Sequence, residues 1–436
     1  MDWNKLHHDS TIVDLHTHPS LKSTLFHRNF GGRKRRKFLA ALFSGAFWPL
    51  SERVTFKNMQ QGGVDVLLST AYAPESGWVE DLSLIKWLLF FARRVKREVF
   101  DPTYFDVTNF MMDNMEKQIA LYNDELTPRD RKAVLVKNST ELKAALEDPT
   151  KPMAVVHAVE GGHSLQGDEC GKTESDYISS DPQDLEEEIL KNLQHFSDRG
   201  VAYLTLAHFY DNLVAYPVFP YPEYGLKHFK WKELLGRWDM NNGLTPIGEK
   251  VVEKMLELGM LIDIAHCTPK GREQVYDIVG NRTGRVISSH TGAFAINPDP
   301  YNLEDWEIKW LADHGGVIGT IFMNYWLSPV DTKLGLKYIE RTMNHLINVG
   351  GEDVVGIGTD FDGFTDPPEE IINLGQLPRL TKYLSALKYK PETIEKILGK
   401  NSLRVLMEGW KKQPLADNNT PAFLPGSGLM PGSGVR

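Results

Sequence analysis

The feature that most constrains this chain is a series of eight short, apolar, β-branched runs, most of which end in polar or charged residues. They occupy residues 11–15, 64–69, 153–159, 201–206, 260–265, 285–289, 317–322 and 354–358. Near-continuous apolar runs of this length suit strands buried on both faces, as in a parallel sheet. Helical patterns lie between many of them. Leu185, Ile189, Leu193 and Phe196 recur at helical spacing, and Gly200 follows as a stop. Thr245-Pro246 reads as an N-cap with proline in the first helical position; Ile247, Val251, Met255 and Leu258 then form one apolar face, which Gly259 ends. Gly315-Gly316 punctuates the approach to the seventh run.

Eight strands with helices between them predict an α/β fold, a (β/α)8 TIM-type barrel of the metal-dependent hydrolase type. The competing arrangement is an open doubly wound sheet, but no GxGxxG follows the first strand. The expected organisation is a single barrel domain over 1–412, with helical insertions around 21–60 and 75–150, and a tail rich in proline and glycine over 413–436.

Composition narrows the partners. With 49 basic and 58 acidic residues the net charge is −9, and no clustered basic face suggests nucleic acid as a partner. Two cysteines, Cys170 and Cys267, exclude a disulfide scaffold in a chain of 436 residues and fit a reducing compartment. The N-terminus has no apolar stretch behind it, so a cytoplasmic location is expected. Two basic and apolar segments, 33–48 and 84–97, could be taken for membrane contacts. Their apolar runs fall far short of the ~20 residues a span needs, and buried helices are the expected reading over membrane-surface ones. A homodimer is compatible with all of this.

The chemistry lies at the ends of the runs. The first ends in His16-Thr-His18 and the third in Glu160; His208, His266 and His290 follow the fourth, fifth and sixth; the eighth leads into Asp360-Phe-Asp362. In a barrel these positions converge on one mouth, where active sites form. Two histidines at i and i+2 on a strand point to the same side and can serve one metal. This set of imidazoles and carboxylates exceeds what one tetrahedral zinc requires. A carboxylate such as Glu160 can bridge two metals, and a bridging hydroxide is then the natural nucleophile, because metals lower the pKa of bound water to about 7. Asp360 is the candidate acid/base that takes the proton and delivers it to a leaving amine. Each histidine alone is more often a hydrogen-bonded structural residue, and it is their joint occurrence that points to a site. His157, His163, Asp14 and Asp263 are read as structural or as orienting the ligands, and Asp362 as capping the turn into Gly363.

The blocks Val13-Asp-Leu-His-Thr-His18, Val159-Glu-Gly-Gly-His-Ser164, Tyr203-Leu-Thr-Leu-Ala-His208, Gly243-Leu-Thr-Pro-Ile-Gly248, Leu261-Ile-Asp-Ile-Ala-His266, Ser288-Ser-His290 and Gly358-Thr-Asp-Phe-Asp-Gly363 together resemble the membrane dipeptidase (renal dipeptidase) family, a branch of the amidohydrolase superfamily. The resemblance implies a zinc-binding barrel that hydrolyses dipeptides. It implies two divalent metal ions held by His16, His18, Glu160, His266 and His290. It further implies that His208 contacts the substrate and steadies the tetrahedral intermediate, and that Asp360 is the proton shuttle. Two departures stand out. The family pattern has His-x-Asp on the first strand where this chain has His16-Thr-His18, which raises the net charge of the site by one. The family also places an arginine in a Pro-Arg-Asn segment to hold the substrate's terminal carboxylate; here Pro298-Asp-Pro-Tyr301-Asn302 puts Tyr301 in that substrate-binding place, without the arginine's bidentate charged pair.

The expected activity is therefore zinc-dependent hydrolysis of an amide bond in a dipeptide or acyl-amino acid. The alternatives are a lactam, lactone or ester hydrolase on the same scaffold, and a non-catalytic metal-bearing binding protein. Retention of both His208 and Asp360 argues against the last.

Overall fold

The computed structural model describes residues 2–26, 52–77, 80, 92–172, 180–219, 240–328, 335–363 and 365–411. The segment 33–48, residues 84–91 and the tail from 413 lie outside the described residues. Among the described residues there are nine parallel strands: β1 (Ile12–Thr17), β2 (Val64–Ala71), β3 (Ala133–Val136), β4 (Met153–Glu160), β5 (Tyr203–Thr205), β6 (Leu261–Asp263), β7 (Val286–Thr291), β8 (Val317–Ile321) and β9 (Val355–Gly358). Their order is β2-β1-β9-β8-β7-β6-β5-β4-β3, and β2 also pairs with β4, from Val66 opposite Ala154 to Ala71 opposite Val159. That pairing closes an eight-stranded barrel of the expected TIM type.

All eight expected runs are strands of the barrel. The ninth, β3, lies inside the region expected to be a helical insertion. It pairs with the first half of β4, from Ala133 opposite Met153 to Val136 opposite Val156, while β5 meets β4 only at Val159 and Glu160. Four apolar residues, Ala133-Val-Leu-Val136, were its sequence signal, but a run that short between helical patterns does not separate strand from helix.

The helices follow their local chemistry. In helix Pro182–Asp198 the residues Leu185, Ile189, Leu193 and Phe196 are buried, and Gly200 turns the chain with φ +87°. At about 1.5–3 kcal/mol per fully buried large apolar side chain, this stripe gives roughly 6–12 kcal/mol of gross docking energy, before chain entropy opposes it. Helix Pro246–Leu258 starts where Thr245 Oγ1 accepts from Gly248 N at 2.9 Å and stops at Gly259, φ +64°.

Inside the barrel, Val13, Leu15, Val66, Leu68, Val156, Leu261, Ile287 and Val317 form one apolar cluster. The last helix, Asn401–Gly409, adds Val405, Leu406 and the following Trp410 to it. Arg285 donates to Gly409 O, and Arg404 to Gly315 O and Asp353 O, so this helix closes the end of the barrel where the strands begin. The opposite mouth is left for polar groups. At that mouth the β1–β2 register slips between Asp14 and Thr17, and the β7–β8 register between Ser288 and Thr291. Such irregularities re-aim side chains, and both fall on candidate ligands.

Candidate metal centre

The strand ends bring together every residue expected at the site. Glu160 is the hub. Its Oε1 lies 3.3 Å from Nε2 of His16, His266 and His290; its Oε2 lies 3.3 Å from His18 Nε2 and 3.5 Å from His208 Nε2. The imidazoles also face one another: His16 and His18 Nε2 are 3.0 Å apart, and His266 and His290 Nε2 are 3.1 Å apart. Asp360 Oδ1 sits 3.3 Å from His18 Nε2 and 3.9 Å from His16 Nε2. Glu160 is 1% exposed and Asp360 9%, so the hub is sealed while Asp360 opens to the mouth. Ligand-capable atoms within 4.8 Å of one another group as His16–Glu160–His290, as His16–His18–Asp360 and as Glu160–His208–His266.

The surroundings fix which ring nitrogen is bare. Tyr203 donates its hydroxyl proton to Leu15 O at 2.8 Å, so its oxygen accepts from His16 Nδ1, also at 2.8 Å. Ser289 Oγ donates to Asp263 Oδ2 at 2.6 Å and accepts from His290 Nδ1 at 2.7 Å. Thr205 Oγ1 donates to the same Asp263 oxygen at 2.5 Å. With Nδ1 protonated on both rings, His16 and His290 present Nε2 lone pairs to the same point, the form in which imidazole binds metal. Glu160 Oε1 is buried there without a hydrogen-bond donor. Bare nitrogens and an unpaired carboxylate oxygen, packed at van der Waals distance, repel unless a cation sits among them. The donor set therefore fits divalent metal.

Burial holds His290 well below the usual histidine range, and it also lowers His266. Burial would raise the Glu160 carboxyl, but the neighbouring His208, whose own proton is favoured, leads the groups that outweigh it and hold it well below the usual carboxylate range. His208 goes the other way: burial disfavours its proton, and the carboxylates of Glu160 and Glu75 more than compensate.

Two site residues sit in the left-handed backbone region, His266 at φ +64° and Asp360 at φ +55°. Non-glycine residues there are strained and must be held by their surroundings. For Asp360 the holders are visible. Its N–H donates to His16 O at 2.9 Å, His18 N–H donates to Phe361 O at 2.9 Å, and Thr359 donates to Asp14 through both N–H (3.0 Å) and Oγ1 (2.7 Å). Asp14 is thus the tie between β1 and β9. Asp362, expected to cap its own turn, instead reaches across to the chain beyond β1: it accepts from Arg53 N, Val54 N (2.9 Å) and Lys22 Nζ (2.9 Å).

Tyr301 is fully buried. Its hydroxyl donates to His290 O at 2.6 Å, its ring stacks on Trp326 at 4.1 Å and meets His266 edge-on at 5.1 Å. The hydroxyl is committed to the backbone of a candidate ligand and is not a free donor. His157 reaches outward to Glu116 at 3.4 Å, while His163 bonds Ala73 O at 2.8 Å through Nε2 and lies with Nδ1 3.9 Å from Glu75 Oε1.

Sequence reasoning missed Glu75, Tyr203, Thr205 and Ser289. For Glu75 a signal existed: it stands just past the mouth end of β2, where a carboxylate reaches the same mouth as the other strand ends.

The fold and the centre together define a parallel (β/α)8 barrel with a histidine–carboxylate cluster at its mouth able to hold metal. A profile of the membrane dipeptidase family, peptidase family M19, matches residues 182–416, more than half of the chain, and the chain belongs to that family. The match carries His208, His266, His290 and Asp360; His16, His18 and Glu160 lie before it. A Klebsiella pneumoniae protein described as uncharacterized, in the pqqA 5′ region, is 36% identical over 180 residues, 41% of this chain and 65% of its own length. The dipeptidase tcpJ of Claviceps purpurea is 30% identical over 219 residues, 50% of this chain and 46% of its own. The chain thus spans between about half and just under two thirds of the length of these relatives. A Rhodobacter sphaeroides metallo peptidase, solved with a phosphinate mimic of the dipeptide L-Ala-D-Ala, superposes with TM-score 0.67 at 18% identity, covering 92% of this chain and 100% of that one. An amidohydrolase from Pseudomonas aeruginosa gives 0.62 at 18% identity, covering 94% and 99%. At such identity the likeness is one of fold.

Proposed function

We propose that this protein is a metal-dependent hydrolase that cuts the amide bond of a dipeptide or acyl-amino acid, with two divalent ions, zinc the expected metal. The observation that carries the reading is the convergence of five imidazole Nε2 atoms on the single buried carboxylate of Glu160, each within 3.5 Å. His16 and His18 would hold one ion, His266 and His290 the other, with Glu160 shared between them. Ions bound there would polarise the scissile carbonyl and lower the pKa of a water molecule enough for attack near neutral pH.

The chain's own groups do the rest. Asp360, at the open side of the cluster, accepts the proton of the attacking water and returns it to the leaving nitrogen. His208 turns Nε2 toward the hub and donates to the carbonyl oxygen as negative charge develops on it. Tyr301, stacked on Trp326 and edge-on to His266, would line the side that receives the leaving part of the substrate.

The commitment of the Tyr301 hydroxyl to His290 O favours a second reading, in which the substrate is a lactam, lactone or ester without a free carboxylate. A hydrolysis screen of zinc-loaded protein separates them: L,L- and L,D-dipeptides, N-acyl amino acids and lactones, with metal content measured on the same preparation. Turnover of dipeptides or acyl-amino acids supports the first reading. Turnover confined to substrates lacking a free carboxylate rejects it in favour of the second, and no turnover by metal-replete protein rejects both.

A further inference from the structure

Glu75 carries no role so far beyond touching His208, yet its setting is that of a built device. It is 2% exposed. Its Oε2 accepts from His208 Nδ1 at 3.0 Å and from the Tyr72 hydroxyl at 2.8 Å; its Oε1 accepts from the backbone N–H groups of Phe209 (3.0 Å) and Tyr210 (2.9 Å). Four donors thus converge on one carboxylate, two of them rigid backbone groups in the segment that carries His208 itself. The two loops are pressed together as well: a Cβ on Gly77 would collide with the Tyr210 ring. The His208 ring is further clamped between Phe209, stacked at 3.9 Å, and Tyr72 at 4.2 Å. With Nδ1 tied to Glu75, the opposite nitrogen points at Glu160 Oε2, 3.5 Å away.

We propose that Glu75 is the positioning residue of the reaction: it fixes the His208 ring with Nδ1 as donor, so that Nε2 faces the reacting carbonyl. This rests on the hydrolase reading above. The geometry makes the role specific to a carboxylate. A glutamine at 75 can accept on only one of its two atoms. The Phe209 and Tyr210 N–H groups cannot turn away, so the amide oxygen must serve them, and the amide NH2 then confronts His208 Nδ1. The ring loses its anchor or gives up its Nδ1 proton, while the volume at the site is unchanged.

The test compares zinc-loaded wild type with Glu75→Gln and Glu75→Ala on the best dipeptide of the screen, reading kcat, KM, metal content and melting temperature. A partner that orients an active-site group is typically worth about 10–100-fold. We expect kcat to fall by about that factor in Glu75→Gln and by at least as much in Glu75→Ala, with KM and metal content little changed. A kcat near wild type in metal-replete, folded Glu75→Gln overturns the proposal, as does a loss wholly explained by lost metal or lost fold. The second arm does not need turnover: in protein labelled with 15N-histidine, the deshielded Nδ1 proton assigned by its absence from His208→Asn is expected in wild type and displaced in Glu75→Gln. Its persistence unchanged in Glu75→Gln overturns the proposal. A wild type inactive on every substrate but showing this proton rejects the hydrolase reading while keeping the Glu75–His208 geometry.

Discussion

Replacing Asp360 with asparagine tests the proposed chemistry with little structural disturbance. Asp360 sits at φ +55°, and asparagine is among the few residues that tolerate this region, so the backbone has no reason to move. The bonds that hold the position are main-chain ones: Asp360 N–H to His16 O at 2.9 Å, and Thr365 Oγ1 to Asp360 O at 3.0 Å. Both survive the change. What is lost is the ability to take a proton. A positioned general acid/base contributes about 10²–10⁴-fold, which at about 1.36 kcal/mol per decade is about 2.7–5.4 kcal/mol of barrier. The expected result is a kcat lower by that factor, with KM changed far less and the melting temperature nearly constant. Asp360 Oδ1 is also within reach of His16 and His18 Nε2, so metal analysis of the same preparation separates a proton shuttle, which leaves the metal bound, from a ligand, which does not. Near-normal turnover in a metal-replete Asp360→Asn protein would refute the mechanism; a melting temperature that falls while the folded fraction keeps its activity would mean that Asp360 only braces its loop.

Three further outcomes are expected. Glu160→Gln removes charge from the carboxylate that five imidazoles face, so elemental analysis after zinc incubation should find much of both metals lost; one metal retained at full occupancy would mean that Glu160 is not shared. Cys170 and Cys267 are both free and buried, and burial pushes the Cys267 thiol up to about 12, so thiol reagent should find neither in the native protein and both after denaturation. Arg272 and Glu307 form a buried bidentate pair at 2.7 and 2.9 Å; Arg272→Ala leaves Glu307 unpaired and should cost about 3–5 kcal/mol in denaturant unfolding, and a cost below about 1 kcal/mol would show that water reaches the carboxylate.

The barrel and most of its centre are legible along the chain because they depend on short-range pattern. Apolar runs long enough for a two-sided strand, Thr245-Pro246 at a helix start and Gly259 at its end are local statements, and the structure repeats each of them. His16, His18, Glu160, His208, His266, His290 and Asp360 stand at or just beyond strand ends, and closing a parallel barrel puts all strand ends at one mouth. Once the fold is granted, their meeting follows. No helix among the described residues is long and apolar enough to cross a membrane.

What the sequence could not show is which groups face each other once the mouth is formed. Glu75 and His208 are 133 residues apart, and Tyr203 and His16 are 187 apart. Neither pair has a spacing that implies contact; both depend on how neighbouring strands are staggered and on where the β1 register slips. The same holds for Asp362, whose partners Lys22 and Arg53 lie more than 300 residues back, and for Tyr301, whose hydroxyl direction is set by packing against Trp326. Strand β3 escaped because four apolar residues carry no period of their own, and only the exposed edge of β4 made them a strand. Sequence pattern records what each segment must bury; the partners of a polar group, and with them the bare nitrogen of a ligand or the aim of a histidine, are decided by the closed barrel.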